Sequence, residues 1–396
     1  MIRVLIQPGT ASEAFAAIKT EWRQLFAAVE CSPFLSWEWM SVWFESFGED
    51  RIPFILKAYR AETLIGILPM FLAKREILGL RFNRLSLMGE DAGGADHLDL
   101  IAKPEDRTEA ISAIFDFLQR DTSCDLIRLE NLTGGSETIG LLKSQSRAKT
   151  SRLPRFTESI SAVCPQIDLT SGWEFVLKQS KRASNFKRRL KQIEKIEEFD
   201  YRSRTSPDDV LAAFDRFLHL HDKRMQKYGG SELSGHPRLV AFQRRLVPEL
   251  ANAGLIRFDE LWTKGECRSS IYALDDGSTF YYYNSGFDPE FSHLSVGLVL
   301  LGLSIKNAIE RGNAVFDFLR GDETYKFDWA NRISQLATVT LNRNTLPVIA
   351  YESVGAAWNG IRNFSKSALP TGFAESVGTY RRSWKRNHLP SVSENE

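Results

Sequence analysis

The sequence predicts an α/β protein built from two domains, and two observations support this prediction. The chain has 396 residues, more than one hydrophobic core ordinarily holds, because domains average roughly 150 residues. Strand-like and helix-like segments alternate in both halves, which is typical of a mixed sheet flanked by helices. We place the domains at residues 1–165 and 166–390 and expect a disordered polar tail at 391–396.

In the first half, apolar residues three and four positions apart predict helices, and short apolar runs between turn residues predict strands. Ser36 is the expected N-cap of the second helix, and Gly48 ends it. The predicted helices are 12–29, 36–47 and 104–120. The predicted strands are 3–6, 53–59, 63–78, 82–88, 97–102 and 125–132.

The second half repeats this coarse order, which suggests a duplication. Asp276-Gly277 predicts a hairpin turn between two of its strands. The predicted helices are 181–196, 207–228, 236–251, 295–311 and 348–364. The predicted strands are 199–205, 254–262, 266–275, 278–286, 314–319 and 333–342.

Composition limits the functional classes. A net charge of +1 gives no general signature of nucleic-acid binding, so we expect no DNA partner. The four cysteines are too scattered for a CxxC pair or a zinc motif, which predicts no metal and a reducing cytoplasm. No apolar run approaches the roughly 20 residues that span a bilayer. We expect a cytoplasmic protein that could also contact the inner membrane peripherally.

The segment 280–297 predicts a site for a phosphorylated cofactor. An aromatic strand leads through a loop into a helix that starts at Ser295-Val296-Gly297, where free N–H groups and the helix dipole favour an anion. Asn284 on the strand and His293 in the loop are further candidates for cofactor binding. The alternative is that Ser295 is an ordinary N-cap and Gly297 a packing residue.

The next segment, 316–329, is an apolar strand followed by a loop rich in ionisable groups, and strand ends in α/β sheets are where ligands bind. Such a loop suits acyl transfer to an amine. Asp322 or Glu323 would take the amine proton, Lys326 or Arg320 would stabilise the oxyanion, and Tyr325 would protonate the leaving thiolate. The alternative is a solvated turn with an Arg320–Asp322 ion pair.

Four motifs together resemble one family. They are D-F-L-R-G-D-E-x-Y-K-x-x-W at 317–329, G-F-D-P-E-F-x-H-x-S-V-G at 286–297, P-F-L-S-W-E-W at 33–39 and S-K-R-A-S-N-F-K-R-R-L at 180–190. They are similar to the CelD-like branch of the Gcn5-related N-acetyltransferase (GNAT) superfamily, which is related to the Fem-type transferases. The resemblance implies two tandem GNAT-like folds, with the acyl-donor site in the second. A lysine in a comparable loop lies at the reaction centre of Fem-type relatives, which singles out Lys326.

The resemblance implies an N-acyltransferase in bacterial exopolysaccharide or cell-envelope synthesis. The donor would be acetyl-CoA or another acyl-CoA, and the acceptor an amine on a nucleotide-, lipid- or polymer-linked sugar. A contact with the inner-membrane polysaccharide machinery would fit this role. The Q/R-x-x-G-x-G/A phosphate loop of the superfamily is missing, which leaves aminoacyl-tRNA as an alternative donor. A non-catalytic nucleotide-sensing or assembly module is the third hypothesis.

Three further features remain open. The cations Lys181, Arg182, Lys187 and Arg188 could hold a substrate phosphate or simply form an exposed helix face. We interpret His97 as a structural residue at a strand start, although a role as catalytic base is the alternative. The cation- and aromatic-rich segment 380–386 is interpreted as a solvated tail.

Overall fold

The computed structural model describes residues 2–90, 92–121, 123–148, 151–226, 233 and 235–354. Within these residues, twelve strands form one mixed sheet flanked by helices, as the sequence predicts. The predicted tail at 391–396 and the segment 380–386 lie outside the described residues.

The first half contributes six strands and four α-helices. Its elements are β1 (Ile2–Ile6), α1 (Ala11–Ala27), α2 (Trp37–Phe47), β2 (Arg51–Arg60), β3 (Thr63–Ile77), β4 (Leu80–Leu87), α3 (Pro104–Arg120), β5 (Leu126–Thr133), α4 (Glu137–Ser146) and β6 (Arg155–Asp168). A single 3₁₀ turn, Pro33–Leu35, precedes α2. The side chain of Ser36 accepts a hydrogen bond from the backbone N–H of Trp39, which confirms the predicted cap.

The second half contributes the other strands. Its elements are α5 (Trp173–Gln179), α6 (Ala183–Ile193), β7 (Asp200–Arg204), α7 (Pro207–Gln226), α8 (Pro237–Asn252), β8 (Ile256–Thr263), β9 (Glu266–Asp275), β10 (Thr279–Phe287), α9 (Val296–Glu310), β11 (Val315–Asp317), α10 (Thr324–Phe327) and β12 (Arg332–Asn342). A 3₁₀ turn, Pro289–Leu294, precedes α9, and residues 346–354 are also helical. The predicted helix at 348–364 therefore extends beyond the described residues.

The order of elements repeats. The series β1-α1-α2-β2-β3-β4-α3-β5-α4-β6 has the same order as β7-α7-α8-β8-β9-β10-α9-β11-α10-β12. In each repeat three antiparallel strands lead through a helix to a strand parallel to the third: β4 with β5, and β10 with β11. This regularity agrees with the duplication that the sequence suggested.

The two repeats exchange their last strands. The sheet runs β1-β2-β3-β4-β5-β12-β6-β11-β10-β9-β8-β7. Thus β12 of the second repeat pairs with β5 of the first, and β6 of the first pairs with β11 of the second. The predicted division between residues 165 and 166 falls inside β6, and the two-domain assignment stays a prediction.

Two apolar cores lie against the sheet. One includes buried residues of α1, α3 and α7, such as Trp22, Phe115 and Phe214, and it joins both repeats. The other lies under α6 and α9 and includes Phe186 and Val299. Consecutive residues of β10 face opposite cores, with Tyr281 in the first and Phe280 and Tyr282 in the second, so this strand is buried on both sides.

Three parts of the sequence-based prediction need correction. Residues 97–102 are not a strand: Leu98 forms an isolated bridge with Leu132 and Ile101 one with Ile67, and His97 has the left-handed φ of 52° that interrupts extended backbone. The helices α4, α5 and α10 and the strand β6 were not predicted. Residues 157–161 of β6 are exposed and mainly polar, so they lack the apolar alternation that marks a half-buried strand.

Candidate active site

A gap opens in the sheet between β10 and the chain that follows β11. The two strands pair in parallel only over Thr279–Tyr281 and Val315–Asp317. Beyond that pair β10 continues along β9, whereas Phe318 and Gly321 donate backbone hydrogen bonds to Pro165 and Val163 of β6, at 3.0 and 3.1 Å. A bulge at Tyr283 interrupts the β9 pairing beside this gap, and bulges are common next to active sites.

The helix α9 starts close to the gap. Ser295 precedes it with a left-handed φ of 55°, and its side chain makes no capping hydrogen bond. The first turn carries no acidic residue, so the N–H groups and the positive end of the helix dipole remain suited to an anion. A Cβ added at Gly297 would lie at van der Waals contact distance from the ring of Phe287.

The other candidates for cofactor binding surround this helix start. Val296 is fully buried. His293 is exposed in the preceding 3₁₀ turn, where its Nδ1 lies 3.0 Å from the carbonyl oxygen of Glu290. Asn284 follows the bulge, and its side-chain oxygen accepts the backbone N–H of Ser285 at 2.7 Å. The strand β10 and the start of α9 thus place these residues along one side of the gap.

The charged loop at 320–326 folds tightly around Gly321. Lys326 is 4% exposed. Its Nζ donates to the carbonyl oxygen of Arg320 at 2.8 Å and lies 3.0 Å from Glu323. A Cβ on Gly321, whose φ is 141°, would collide with Glu323 and with the Lys326 Nζ. Asp322 is exposed.

Arg320 does not form the predicted alternative ion pair with Asp322. It pairs instead with Asp96 of the first repeat, which is 1% exposed. The backbone N–H of Arg320 also donates to Asp96 at 2.9 Å, and its guanidinium donates to the carbonyl oxygen of Ala95. The loop that carries the candidate chemistry is therefore fixed to the other half of the chain.

Tyr325 packs among aromatic rings at the gap. Its ring lies 6.4 Å from those of Tyr282 and Phe318. Burial raises the pKa of Tyr325, so its phenol stays protonated. Tyr282 donates to the hydroxyl of Ser285 at 2.5 Å, and Arg224 of α7 donates to the same hydroxyl at 3.2 Å.

Sequence reasoning missed Arg224 and Ser285. Arg224 lies in the last turns of a long helix, where a cation is ordinary because it complements the helix dipole. Only the packing of α7 on β10 brings it to this gap. The neighbouring His221 is buried and lies 3.2 Å from the Ser285 carbonyl oxygen; burial lowers its pKa.

The basic helix α6 packs on α9. The ring of Phe186 fills the space beside Gly302, and Phe186 and Ile193 are buried, so one apolar side of the helix faces the core. Lys181, Lys187 and Arg188 are exposed, whereas Arg182 pairs with Asp328 at 2.6 Å. Lys187 and Arg188 lie on this helix, which contacts α9 and the 3₁₀ turn before α9, and Lys181 precedes the helix.

A polar cleft of about 1590 Å³ lies between the two repeats. Residues from both line it, including His97, Thr133, Gln166, Asp276, Tyr281 and Asp317. At its floor, Nε2 of His97 lies 3.0 Å from a carboxylate oxygen of Asp317. That oxygen also accepts Gln166 at 2.6 Å, and the other accepts the backbone N–H of Leu319 at 2.7 Å.

The two side chains favour each other's charged forms. Burial opposes the charge on His97, but the nearby carboxylate of Asp317 outweighs it, so the pKa of His97 is raised. Burial likewise opposes the charge on Asp317, but His97, Gln166 and Leu319 outweigh it and lower the pKa of that carboxyl.

Among the described residues, His97, Cys164 and Asp317 are the one grouping whose potential metal-ligating atoms lie within 4.8 Å of one another. Both oxygens of Asp317 already accept hydrogen bonds, and Cys164 is fully buried, with a pKa raised by that burial. We therefore interpret the grouping as a hydrogen-bonded pair beside a packed thiol.

The comparisons with known proteins agree with this geometry. Residues 180–327 match the family model of an acetyltransferase (GNAT) domain, and this segment contains the gap, α9 and the charged loop. This segment of the chain is therefore similar to GNAT-type acetyltransferase domains. No curated protein has a matching sequence.

Solved structures show the same fold over most of the chain. FemX superposes with a TM-score of 0.58 at 11% identity, covering 81% of this chain and 95% of FemX. A protein of unknown function from Bacteroides thetaiotaomicron gives 0.53 at 10% identity, covering 86% and 100%. The C-terminal domain of a proposed lysylphosphatidylglycerol synthetase from Agrobacterium fabrum gives 0.53 at 8% identity, covering 87% and 96%.

No helix among the described residues is both long enough and apolar enough to cross a membrane.

Proposed function

We propose that this protein transfers an acyl group, in the simplest case an acetyl group, from acyl-CoA to an amine of a sugar-containing precursor in exopolysaccharide or cell-envelope synthesis. The observation that carries the proposal is the gap beside β10, which ends at an α9 helix start free of acidic residues. The match of residues 180–327 to a GNAT domain supports it.

The donor would lie along the gap, with its pantetheine arm beside β10 and its pyrophosphate at the start of α9. Asn284, His293, Ser295, Val296 and Gly297 are the residues we propose for this contact. Further phosphate charge would be attracted by the exposed cations Lys187 and Arg188 of α6 and by Lys181 just before the helix. Arg182 is held by its ion pair with Asp328.

The charged loop would supply the chemistry of transfer. Tyr325, whose phenol stays protonated, would give its proton to the leaving thiolate. Lys326 and Arg320 would hold the loop and favour negative charge on the oxyanion. Asp322 and Glu323 are the carboxylates of this loop that could take the proton of the acceptor amine.

A second candidate donor is aminoacyl-tRNA. The exposed cations of α6 favour it, because a row of Lys and Arg beside the donor site suits a phosphate backbone. The likeness to FemX concerns the fold alone. The two donors differ in salt dependence, since RNA binding weakens steeply with added salt.

The test is calorimetric titration of the purified protein with acetyl-CoA, alongside Gly297→Glu. A glutamate in the first turn stabilises a helix, so the variant should fold, but its carboxylate would repel the pyrophosphate. We expect the affinity to fall roughly 100-fold. Gly140→Glu is the matched control, because Gly140 is an exposed helix glycine of α4 with open space around it.

Two outcomes would contradict the proposal. Equal affinity in the parent and Gly297→Glu would remove the donor from the start of α9. If the parent binds aminoacyl-tRNA in a salt-dependent manner and does not bind acetyl-CoA, the second candidate replaces the first.

A further inference from the structure

The pair formed by His97 and Asp317 lies where the two repeats and the donor gap meet. Asp317 is the last residue of β11 that pairs with β10, opposite Tyr281, so the strands separate just beyond it. His97 belongs to the other repeat, in the loop between β4 and α3. Both side chains line the cleft, through which a second substrate can reach them.

We propose that His97 is the base that takes the proton from the acceptor amine and that Asp317 is the residue that positions it. The inference rests on the proposed acyl transfer and names a different proton acceptor from Asp322 and Glu323. Those two carboxylates lie on the exposed outer side of the loop, and Glu323 is paired with Lys326.

Geometry assigns a role to each ring nitrogen. Nε2 of His97 faces Asp317, so in the neutral imidazole this nitrogen carries the hydrogen and Nδ1 keeps the lone pair. The hydroxyl of Thr133, another residue of the cleft wall, lies 3.4 Å from Nδ1. Nδ1 therefore lies beside the cleft wall, where an acceptor amine would have to displace the Thr133 hydroxyl to meet it.

The carboxylate is itself held rigidly. Gln166 and the backbone N–H of Leu319 both donate to Asp317, so it cannot turn away from the imidazole. His97 has a φ of 52°, a left-handed conformation that non-glycine residues adopt sparingly. The neighbouring Asp96 fixes the loop through its ion pair with Arg320.

The reaction balances with these groups. The amine nitrogen attacks the thioester carbonyl carbon, and the C–N bond forms while the C–S bond breaks. One N–H proton passes to Nδ1 of His97, and the leaving thiolate takes the phenolic proton of Tyr325. Water in the cleft removes the proton from His97 and a proton returns to Tyr325, so the products are an amide and the free coenzyme thiol.

The charges around His97 determine the pH dependence. The groups that face it are Asp96 on its own loop, Asp317 and Arg320 from the second repeat, Cys164 on β6 and Tyr281 on β10. Asp317 dominates the electrostatic balance and raises the pKa of His97. Only the neutral imidazole is a base, so the rate should rise with pH through that raised pKa.

The experiment measures thiol release from acetyl-CoA with D-glucosamine as acceptor between pH 6 and 9.5, in variants first shown by calorimetry to bind acetyl-CoA. We expect His97→Gln to lower kcat roughly 100-fold with little change in the KM for acetyl-CoA. Asp317→Asn should move the rising limb to lower pH. His219→Gln, which removes an exposed histidine of α7, should match the parent.

A second measurement does not require turnover. The imidazole of His97 is titrated by NMR in the parent and in Asp317→Asn, with the expectation that it titrates above its ordinary pKa of 6.5 in the parent and lower in the variant. A kcat and a pH profile of His97→Gln that equal those of the parent would overturn the inference. So would a His97 imidazole pKa that is the same in the parent and in Asp317→Asn. Failure of the parent to bind acetyl-CoA would instead overturn the proposed function, and the inference with it.

Discussion

The first and second repeats place the same elements around a central parallel pair, but they treat the space beside that pair differently. In the first repeat, Leu98 re-enters beside β5 and bridges Leu132, and Ile101 bridges Ile67. In the second, the described residues form no such bridge between β10 and the chain after β11. The first repeat bridges its gap with main-chain contacts, and the described residues of the second repeat do not.

The helices that follow the two gaps, α3 and α9, also differ in the charge of their first turns. The first turn of α3 carries Glu105 and Asp106, which already complement the helix dipole and would repel a phosphate. The first turn of α9 has no acidic residue. A shared order of elements therefore does not imply a shared ligand, because a few residues at the strand ends decide whether a gap can receive one.

The largest expected effect comes from emptying the filled gap. Leu98 is fully buried, so Leu98→Ala should lower the free energy of unfolding by about 3 kcal/mol through lost burial and a residual cavity. Because the donor gap lies in the other repeat, the affinity for acetyl-CoA should not change. Chemical denaturation and calorimetry measure the two quantities, and a Leu98→Ala variant with weakened acetyl-CoA binding would link the two gaps.

A smaller effect distinguishes the loops that follow the parallel strands. Gly135 follows β5 with a φ of 72° and open space around it, so Gly135→Ala should cost about 1 kcal/mol of left-handed strain. Gly321 follows β11, and a Cβ there also meets Glu323 and Lys326, so Gly321→Ala should cost about 2 kcal/mol. Equal costs by chemical denaturation would show that Lys326 is not held against the loop.

The smallest expected effect is the pH-dependent contribution of the pair formed by His97 and Asp317 to the free energy of unfolding. The pKa of His97 is raised, so its contribution is complete below the ordinary value of 6.5 and is lost as pH rises through the raised value. The pKa of Asp317 is lowered, so its contribution is present above 3.8 and is lost as pH falls through the lowered value. The parent should exceed His97→Gln in unfolding free energy most between these limits.

Thermal unfolding at several pH values checks this expectation. The difference between the parent and His97→Gln should shrink above pH 6.5. A difference that stays constant between pH 5 and pH 9 would mean that the imidazole contributes by packing rather than by charge.

In both repeats, the sequence predicts an element well where a local signal marks its ends. The helix at 104–120 and the strand at 266–275 have the predicted bounds, because a proline start or a hairpin turn marks their ends. The hairpin turn itself is confirmed, since Asp276 accepts the N–H groups of Ser278 and Thr279 at 2.9 and 2.7 Å. The strand β6 escaped prediction because its exposed face is polar.

The sequence by itself determined the class of fold, the order of most elements, and the resemblance to acetyltransferases that the motifs at 286–297 and 317–329 carry. Each of these depends on residues close together in the chain, whose spacing and capping act locally. The exchange of β6 and β12, the Arg320–Asp96 ion pair and the meeting of His97 with Asp317 were decided by the tertiary structure. These contacts join residues far apart in sequence, and only the packing of the two repeats brings them within reach.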